Sequence, residues 1–189
     1  MDKKRLHQPK LKKQQSRSKA VDSDYRALLG YAFNLLARKW YTEHELVIKL
    51  VLRCTASPAK AGRSSFLIEQ VLQRLRELNY INDDRILENY LSFTLPARPL
   101  GKFGFLQKMR QRGIDYAQAE LAWNTMNLDE EVLAHQLVEN RLKRLSSSTK
   151  GSKKEQLLAQ RKKLANFLAG RGFSPSVIYE VVDGLFTFD

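Results

Sequence analysis

Apolar residues along this chain return every three or four positions, the spacing that puts them on one face of an α-helix. The pattern opens at Tyr25, with Leu28, Ala32, Leu35 and Leu36 on one side. Thr42-Glu43-His44-Glu45 then reads as a capping box, in which the threonine accepts from the backbone three residues on and Glu45 reaches back. It launches a helix with Leu46, Val47, Leu50 and Val51 inward. A polar loop from about Cys54 to Ser65 carries Pro58 and Gly62. The cleanest stripe follows: Leu67, Ile68, Val71, Leu72, Leu75 and Leu78.

A second set begins at Asn82-Asp83-Asp84, polar residues suited to capping and to the positive end of a helix dipole. Ile86, Leu87, Tyr90 and Leu91 form its first buried face, and Pro96 and Pro99 are expected to stop that helix. Phe105, Leu106 and Met109 mark the next helix, and Leu121, Ala122 and Met126 the one after. The third set starts near Asn127 with Ala134, Leu137, Val138, Leu142 and Leu145 inward. A Ser-rich linker, residues 146–152, precedes a long helix with Leu157, Leu164, Ala165 and Leu168. Ser174-Pro175 is a helix start, cap then N1 proline, and Val177, Ile178, Val181, Val182 and Leu185 complete the last face.

Two four-residue corners punctuate this pattern: Arg112-Gly113-Ile114-Asp115 and Arg171-Gly172-Phe173-Ser174. Each has a basic residue in a last helical turn, a glycine free to turn left-handed, an apolar residue that packs back, and a polar side chain able to cap the next helix. A repeated corner implies a repeated unit. No pair of alternating segments is joined by an Asn-Gly or Asp-Gly turn, so a β component is not expected. The spacing therefore predicts an all-α chain of three tandem three-helix repeats, helix-turn-helix-like, forming an elongated curved array. The boundaries expected are a disordered basic arm over 1–20, then repeats at 21–81, 82–126 and 127–189.

Charge sharpens the picture. The 189 residues carry a formal +13, and residues 1–19 hold eight Lys/Arg against Asp2 alone, so +6 remains on the rest of the chain. Positive charge on the folded part as well as the arm points to a polyanionic partner, nucleic acid or a nucleoprotein. No apolar run reaches the length of a membrane span, and no basic helix face carries a strong aromatic anchor. Cys54 is the only cysteine, which fits a reducing cytoplasm and leaves no internal disulfide. His7, His44 and His135 are far apart, so no metal site and no cofactor are expected.

Residues that resemble chemistry have plainer readings. Asp83-Asp84 and Asp129-Glu130-Glu131 sit at helix starts, where carboxylates serve as caps. His44 and Cys54 lie some three turns apart on one helix and do not form a nucleophile pair. No Gly-rich loop ends in Lys-Ser or Lys-Thr, so no nucleotide site of that type is expected, and with the readings above no enzyme is expected. Trp40, Tyr41 and Trp123 are read first as core closers. The basic positions fall on equivalent helices: Lys102, Lys108, Arg110 and Arg112 with Arg98 just ahead in the second set, and Arg161, Lys162, Lys163 and Arg171 in the third. Arg141, Lys143 and Arg144 end the helix between. Together they predict a continuous basic stripe that follows phosphates or an acidic nucleoprotein surface.

Leu35-Leu36-Ala37-Arg38, Tyr41-Thr42, Glu45-Leu46 and Lys49-Leu50 resemble the first-repeat signature of the RecX regulatory proteins. Leu75 through Leu78-Asn79-Tyr80-Ile81-Asn82-Asp83-Asp84-Arg85 resembles that family's junction between repeats one and two. Arg98, Gly101, Met109 and Arg112-Gly113-Ile114-Asp115 match the second repeat, and Phe167 through Ser174 the third. The chain departs from the pattern at Phe103 and Gly104, where basic residues are usual, at Lys108, where an acidic one is frequent, and in the longer segment from Arg53 to Ser65. The resemblance implies a cytoplasmic, non-catalytic monomer that binds RecA–DNA filaments and restrains RecA recombinase and ATPase activity in homologous recombination, DNA repair and the SOS response. Contact with single- or double-stranded DNA is part of that expectation. A stand-alone helix-turn-helix DNA-binding protein is the alternative.

Overall fold

Every regular element among the described residues, which are 8–56, 64–142 and 153–186 of this computed structural model, is helical. α1 (Gln8–Leu36), α2 (Glu43–Thr55) and α3 (Ser64–Glu77) come first. α4 (Asp83–Asn89) runs on through a π-helical turn (Tyr90–Thr94) and a last α turn (Leu95–Ala97). α5 (Lys102–Gln111), α6 (Tyr116–Thr125), α7 (Glu130–Leu142), α8 (Lys153–Gly170) and α9 (Pro175–Phe186) complete the order. The chain divides at Asp83 into two compact units. The Pro58–Gly62 loop and the 146–152 linker lie outside the described residues.

In the first unit, Leu28 and Ala32 of α1 meet Leu46, Leu50 and Cys54 of α2 and the α3 stripe Leu67, Ile68, Val71, Leu72 and Leu75, all buried. Complete burial of one such leucine contributes about 1.5–3 kcal/mol. Val51 and Leu78, expected inward, are exposed because they fall just past the edge of that three-helix contact. Thr42 is fully buried and forms both halves of the capping box: its Oγ1 accepts from the Glu45 amide at 3.2 Å, and Glu45 Oε2 accepts from the Thr42 amide at 3.2 Å. Residues 8–20, expected in a disordered arm, are helical. Beyond Pro9 they contain no glycine or proline, and Lys, Gln and Leu are good helix formers that extend a rod already packed at Leu28.

The second unit has one continuous core, to which α4 through α9 all contribute. Two of its joints are the twin corners. Gly113 and Gly172 have φ of 79° and 77°, and each closes the same pair of backbone bonds. Gly113 N–H donates to the Arg110 carbonyl at 2.9 Å and Ile114 N–H to Met109 at 3.1 Å. Gly172 N–H donates to Ala169 at 2.9 Å and Phe173 N–H to Leu168 at 3.3 Å. Asn79, with φ of 55°, repeats this geometry at the end of α3, where asparagine tolerates the left-handed turn. Asp115 caps α6 through the Ala117 and Gln118 amides, and Pro175 is the first residue of α9.

The N-terminus of α5 presses onto the α8–α9 corner, backbone against backbone. Gly101 N–H donates to the Arg171 carbonyl at 3.1 Å, and Phe103 N–H to that of Gly172 at 3.1 Å. Lys102 N–H goes to Glu130 Oε1 of α7 at 2.7 Å. The first amides of a helix have no partner within it, as have the last carbonyls of another, and here each set answers the other. Such contact requires the absence of side chains. A Cβ on Gly104 would stand 2.2 Å from the Arg171 carbonyl oxygen, and one on Gly172 would stand 2.0 Å from the Gly104 nitrogen. Only glycine fits at position 104 without displacing the corner.

Further expectations change. Leu142, expected inward, is exposed at the last residue of α7. Pro96 does not stop α4; the wider π turn ahead of it, with Leu95 N–H donating to the Tyr90 carbonyl, relieves the proline's clash, and the helix ends at Arg98. The buried face of α6 is Ala119 and Trp123, while Leu121 is 68% exposed and Met126 is also exposed. Asp115 fixes the helix phase, and Trp123, with its larger apolar area, takes the inward place against Phe105 at 5.2 Å between ring centroids. Asp83 and Glu130 cap helices other than their own. Asp83 Oδ1 accepts from the Glu43 amide of α2 at 3.1 Å, as Glu130 does from Lys102 of α5.

Gly104→Ala is expected to cost at least about 2 kcal/mol in urea unfolding, because only backbone displacement can admit the methyl group. Gly30→Ala, in α1 with nothing within 4 Å of its Cβ, is expected to gain about 0.5–1 kcal/mol. In the first unit, Arg76 grips Glu43 at 2.9 and 2.5 Å and holds its carboxyl below the ordinary range, chiefly by hydrogen bonding. A depressed carboxyl stabilises above its unfolded pKa and ceases to do so as pH falls through the folded one. Both side chains keep about a third of their surface in water (37% and 35%), so Arg76→Met is expected to cost only about 0.5–1 kcal/mol at neutral pH. That penalty shrinks below about pH 4, as paired denaturation curves would show.

Candidate polyanion interface

The corner at Gly172 and the turn before α5 bring the basic residues of the second unit together. Phe105 and Met109 face inward on α5, so Lys108 faces out. Tyr90, held in the π turn against Phe105 at 5.8 Å, lies beneath it, with Lys108 Nζ 5.4 Å from the ring centroid. Phe167 of α8 supports two guanidinium groups: Arg141 from α7 at 5.2 Å and Arg171 from the corner at 5.5 Å. Arg98 closes the remaining side.

These residues line one cleft of about 720 Å³, whose wall also includes Gln136 and Asn140 and no acidic side chain. Gln136 Nε2 donates to the Pro96 carbonyl at 3.4 Å, which ties α7 to the end of α4 at its edge. Among the described residues no carboxylate forms an ion pair with Arg98, Lys108, Arg141 or Arg171. Aromatic rings position the cations without neutralising them.

The other candidate cations are placed differently. Lys102 Nζ lies 2.8 Å from Glu120 Oε1 and 3.3 Å from Asn124 Oδ1. Arg161 pairs with Asp183 across α8 and α9, and the same carboxylate raises the Tyr179 phenol above its ordinary value through a hydrogen bond. Arg161 and Lys162 flank a separate groove with an apolar floor of Ala165, Ile178 and Val182. Lys163 and Arg110 are exposed and Arg112 half-buried, all outside the cleft wall. Lys143 and Arg144 lie outside the described residues. What stood in sequence as one stripe is here a four-cation cleft and several separate positions.

Tyr90, Phe167, Gln136 and Asn140 carried no local signal, since they come from separate elements and only the fold assembles them. Trp123 is buried, whereas Trp40 is half exposed. Cys54 is buried and His44 exposed. Among the described residues no three His, Cys, Asp or Glu side chains stand together as a metal would need, and no helix is long and apolar enough to cross a membrane.

A profile described as "RecX, third three-helix domain" matches residues 129–182. The Regulatory protein RecX of Prosthecochloris aestuarii is 30% identical over 166 residues, covering 88% of this chain and 98% of that protein. The chain belongs to the RecX family. The Regulatory protein RecX of Deinococcus radiodurans is 32% identical, over 88% of this chain and 72% of that one. The crystal structure of RecX from Lactobacillus salivarius has the same fold, with a TM-score of 0.65 at 20% identity over 87% of this chain and 97% of its own. A second RecX crystal structure gives a TM-score of 0.68 at 21% identity, over 91% and 77% of the two chains. The chain is thus a member of the RecX regulatory protein family, built on the three-helix units of the RecX fold.

Proposed function

We propose that this chain is a non-catalytic modulator of the RecA recombinase, a cytoplasmic protein that binds RecA–DNA filaments and restrains their ATP-coupled activity. Membership of the RecX family over nearly the whole chain carries this reading. The four cleft cations, with which no described carboxylate pairs, support it, since a RecA–DNA filament is a repeating polyanion. Contacts at several three-helix sets would add by avidity, so that each need only be modest. Electrostatic attachment of this kind weakens steeply with salt.

The residues proposed to make these contacts are Arg98, Lys102, Lys108, Arg110, Arg112, Arg141, Lys143, Arg144, Arg161, Lys162, Lys163 and Arg171. Replacing Lys108, Arg110 and Arg112 together by Glu is expected to raise the concentration for half-inhibition of RecA-dependent ATP hydrolysis at least about ten-fold, with helicity unchanged by circular dichroism. Undiminished inhibition by that folded variant would remove these residues from the interface. Binding of the wild type to RecA-coated DNA is expected to exceed binding to bare duplex at equal salt. Tighter, sequence-specific binding to bare duplex would favour the helix-turn-helix alternative instead.

A further inference from the structure

Four like charges around one concavity repel one another, and two aromatic rings hold three of them in place. One ligand removes that repulsion in a single step if its negative charges are as closely spaced as the cations. We propose that the Arg98–Lys108–Arg141–Arg171 cleft is a site for an oligophosphate: two or three neighbouring phosphate groups on a flexible chain, as in a nucleoside triphosphate or a single nucleic-acid strand.

Three observations favour phosphate over other anions. The two guanidinium groups on Phe167 present planar donor forks, which match phosphate oxygens in pairs. A volume of about 720 Å³ suits a small molecule or one to two nucleotides. A duplex, a convex rod, meets such a cleft only at its rim. Among the described residues the wall has no acidic side chain, so no described carboxylate competes for the donors. The neutral amides of Gln136 and Asn140 extend the wall with groups suited to a sugar or base edge. The two phosphate sources share this chemistry and differ only in what the phosphates are attached to.

This specifies the ligand of the basic surface invoked in the proposed function, and its test contains no recombinase. The full chain is titrated calorimetrically, at one fixed salt concentration, with inorganic tripolyphosphate, with ATP, with a short oligothymidylate and with a glutamate-rich peptide. At least one phosphate ligand is expected to bind. Arg171→Gln and Lys108→Gln are each expected to weaken it about ten-fold, the loss of one charge-assisted contact. Lys49→Gln, exposed on α2 in the first unit, serves as the charge-matched control and is expected to bind as the wild type does.

Tripolyphosphate and ATP binding without the oligonucleotide identifies a free nucleotide as the source. Preference for the oligonucleotide identifies a strand. The proposal is overturned if no phosphate ligand binds, if the peptide binds more tightly than all of them, or if Lys49→Gln weakens binding as much as the cleft variants. Two cleft variants are used because Arg171 sits at a structural corner; Lys108, on an exposed helix face, tests the site even if Arg171→Gln fails to fold. A wild-type chain that binds tripolyphosphate yet leaves RecA unaffected would discard the function above and keep the site.

Discussion

The contact of the α5 N-terminus with the α8–α9 corner is what the second unit rests on. Gly101, Gly104 and Gly172 let two backbones approach to hydrogen-bonding distance, so that the unpaired amides of one helix meet the unpaired carbonyls of another. Few other arrangements satisfy both ends at once, and a buried end without partners would cost about 1–3 kcal/mol for each group. The contact therefore fixes more than distance. It sets the rotation of α5 about its axis and with it which side chains face the core.

The cleft follows from that rotation. With Phe105 and Met109 inward, Lys108 is above Tyr90, and the chain leading into Gly101 places Arg98 and Pro99 beside it. Across the contact, Arg171 has its carbonyl bound to Gly101 while its guanidinium rests on Phe167. One residue thus joins the framework to the charged wall. A charge held this way loses little freedom on meeting a ligand, which is the physical meaning of preorganisation.

Local chemistry made much of this readable in advance. The capping box at Thr42, the corners at Gly113 and Gly172 and the Ser174-Pro175 start are short-range patterns, and each forms as its neighbours dictate. Long-range competition made the rest unreadable. Leu121 and Trp123 both suit a buried face on α6, and the phase set at Asp115 together with the position of Phe105 decides between them. Lys102 and Arg161 look like Lys108 and Arg171 in sequence, but Glu120 and Asp183 pair with the first two and no described carboxylate pairs with the others. Gly104 gave no sign of its partner, because close approach of backbones leaves no mark on composition.

The cross-caps carry a lesson for dissecting the chain. The first residue of α4, Asp83, completes the start of α2, and the first residue of α7, Glu130, completes the start of α5. The first and second three-helix sets thus each borrow a carboxylate from the opening of the next, so a unit drawn by helix count ends one residue too early. A fragment trimmed at Asn82 would expose an amide that the intact chain satisfies, whereas one extended through α4 would keep it. Modularity in this protein is overlapping, and an excised piece must take the first turn of its successor with it.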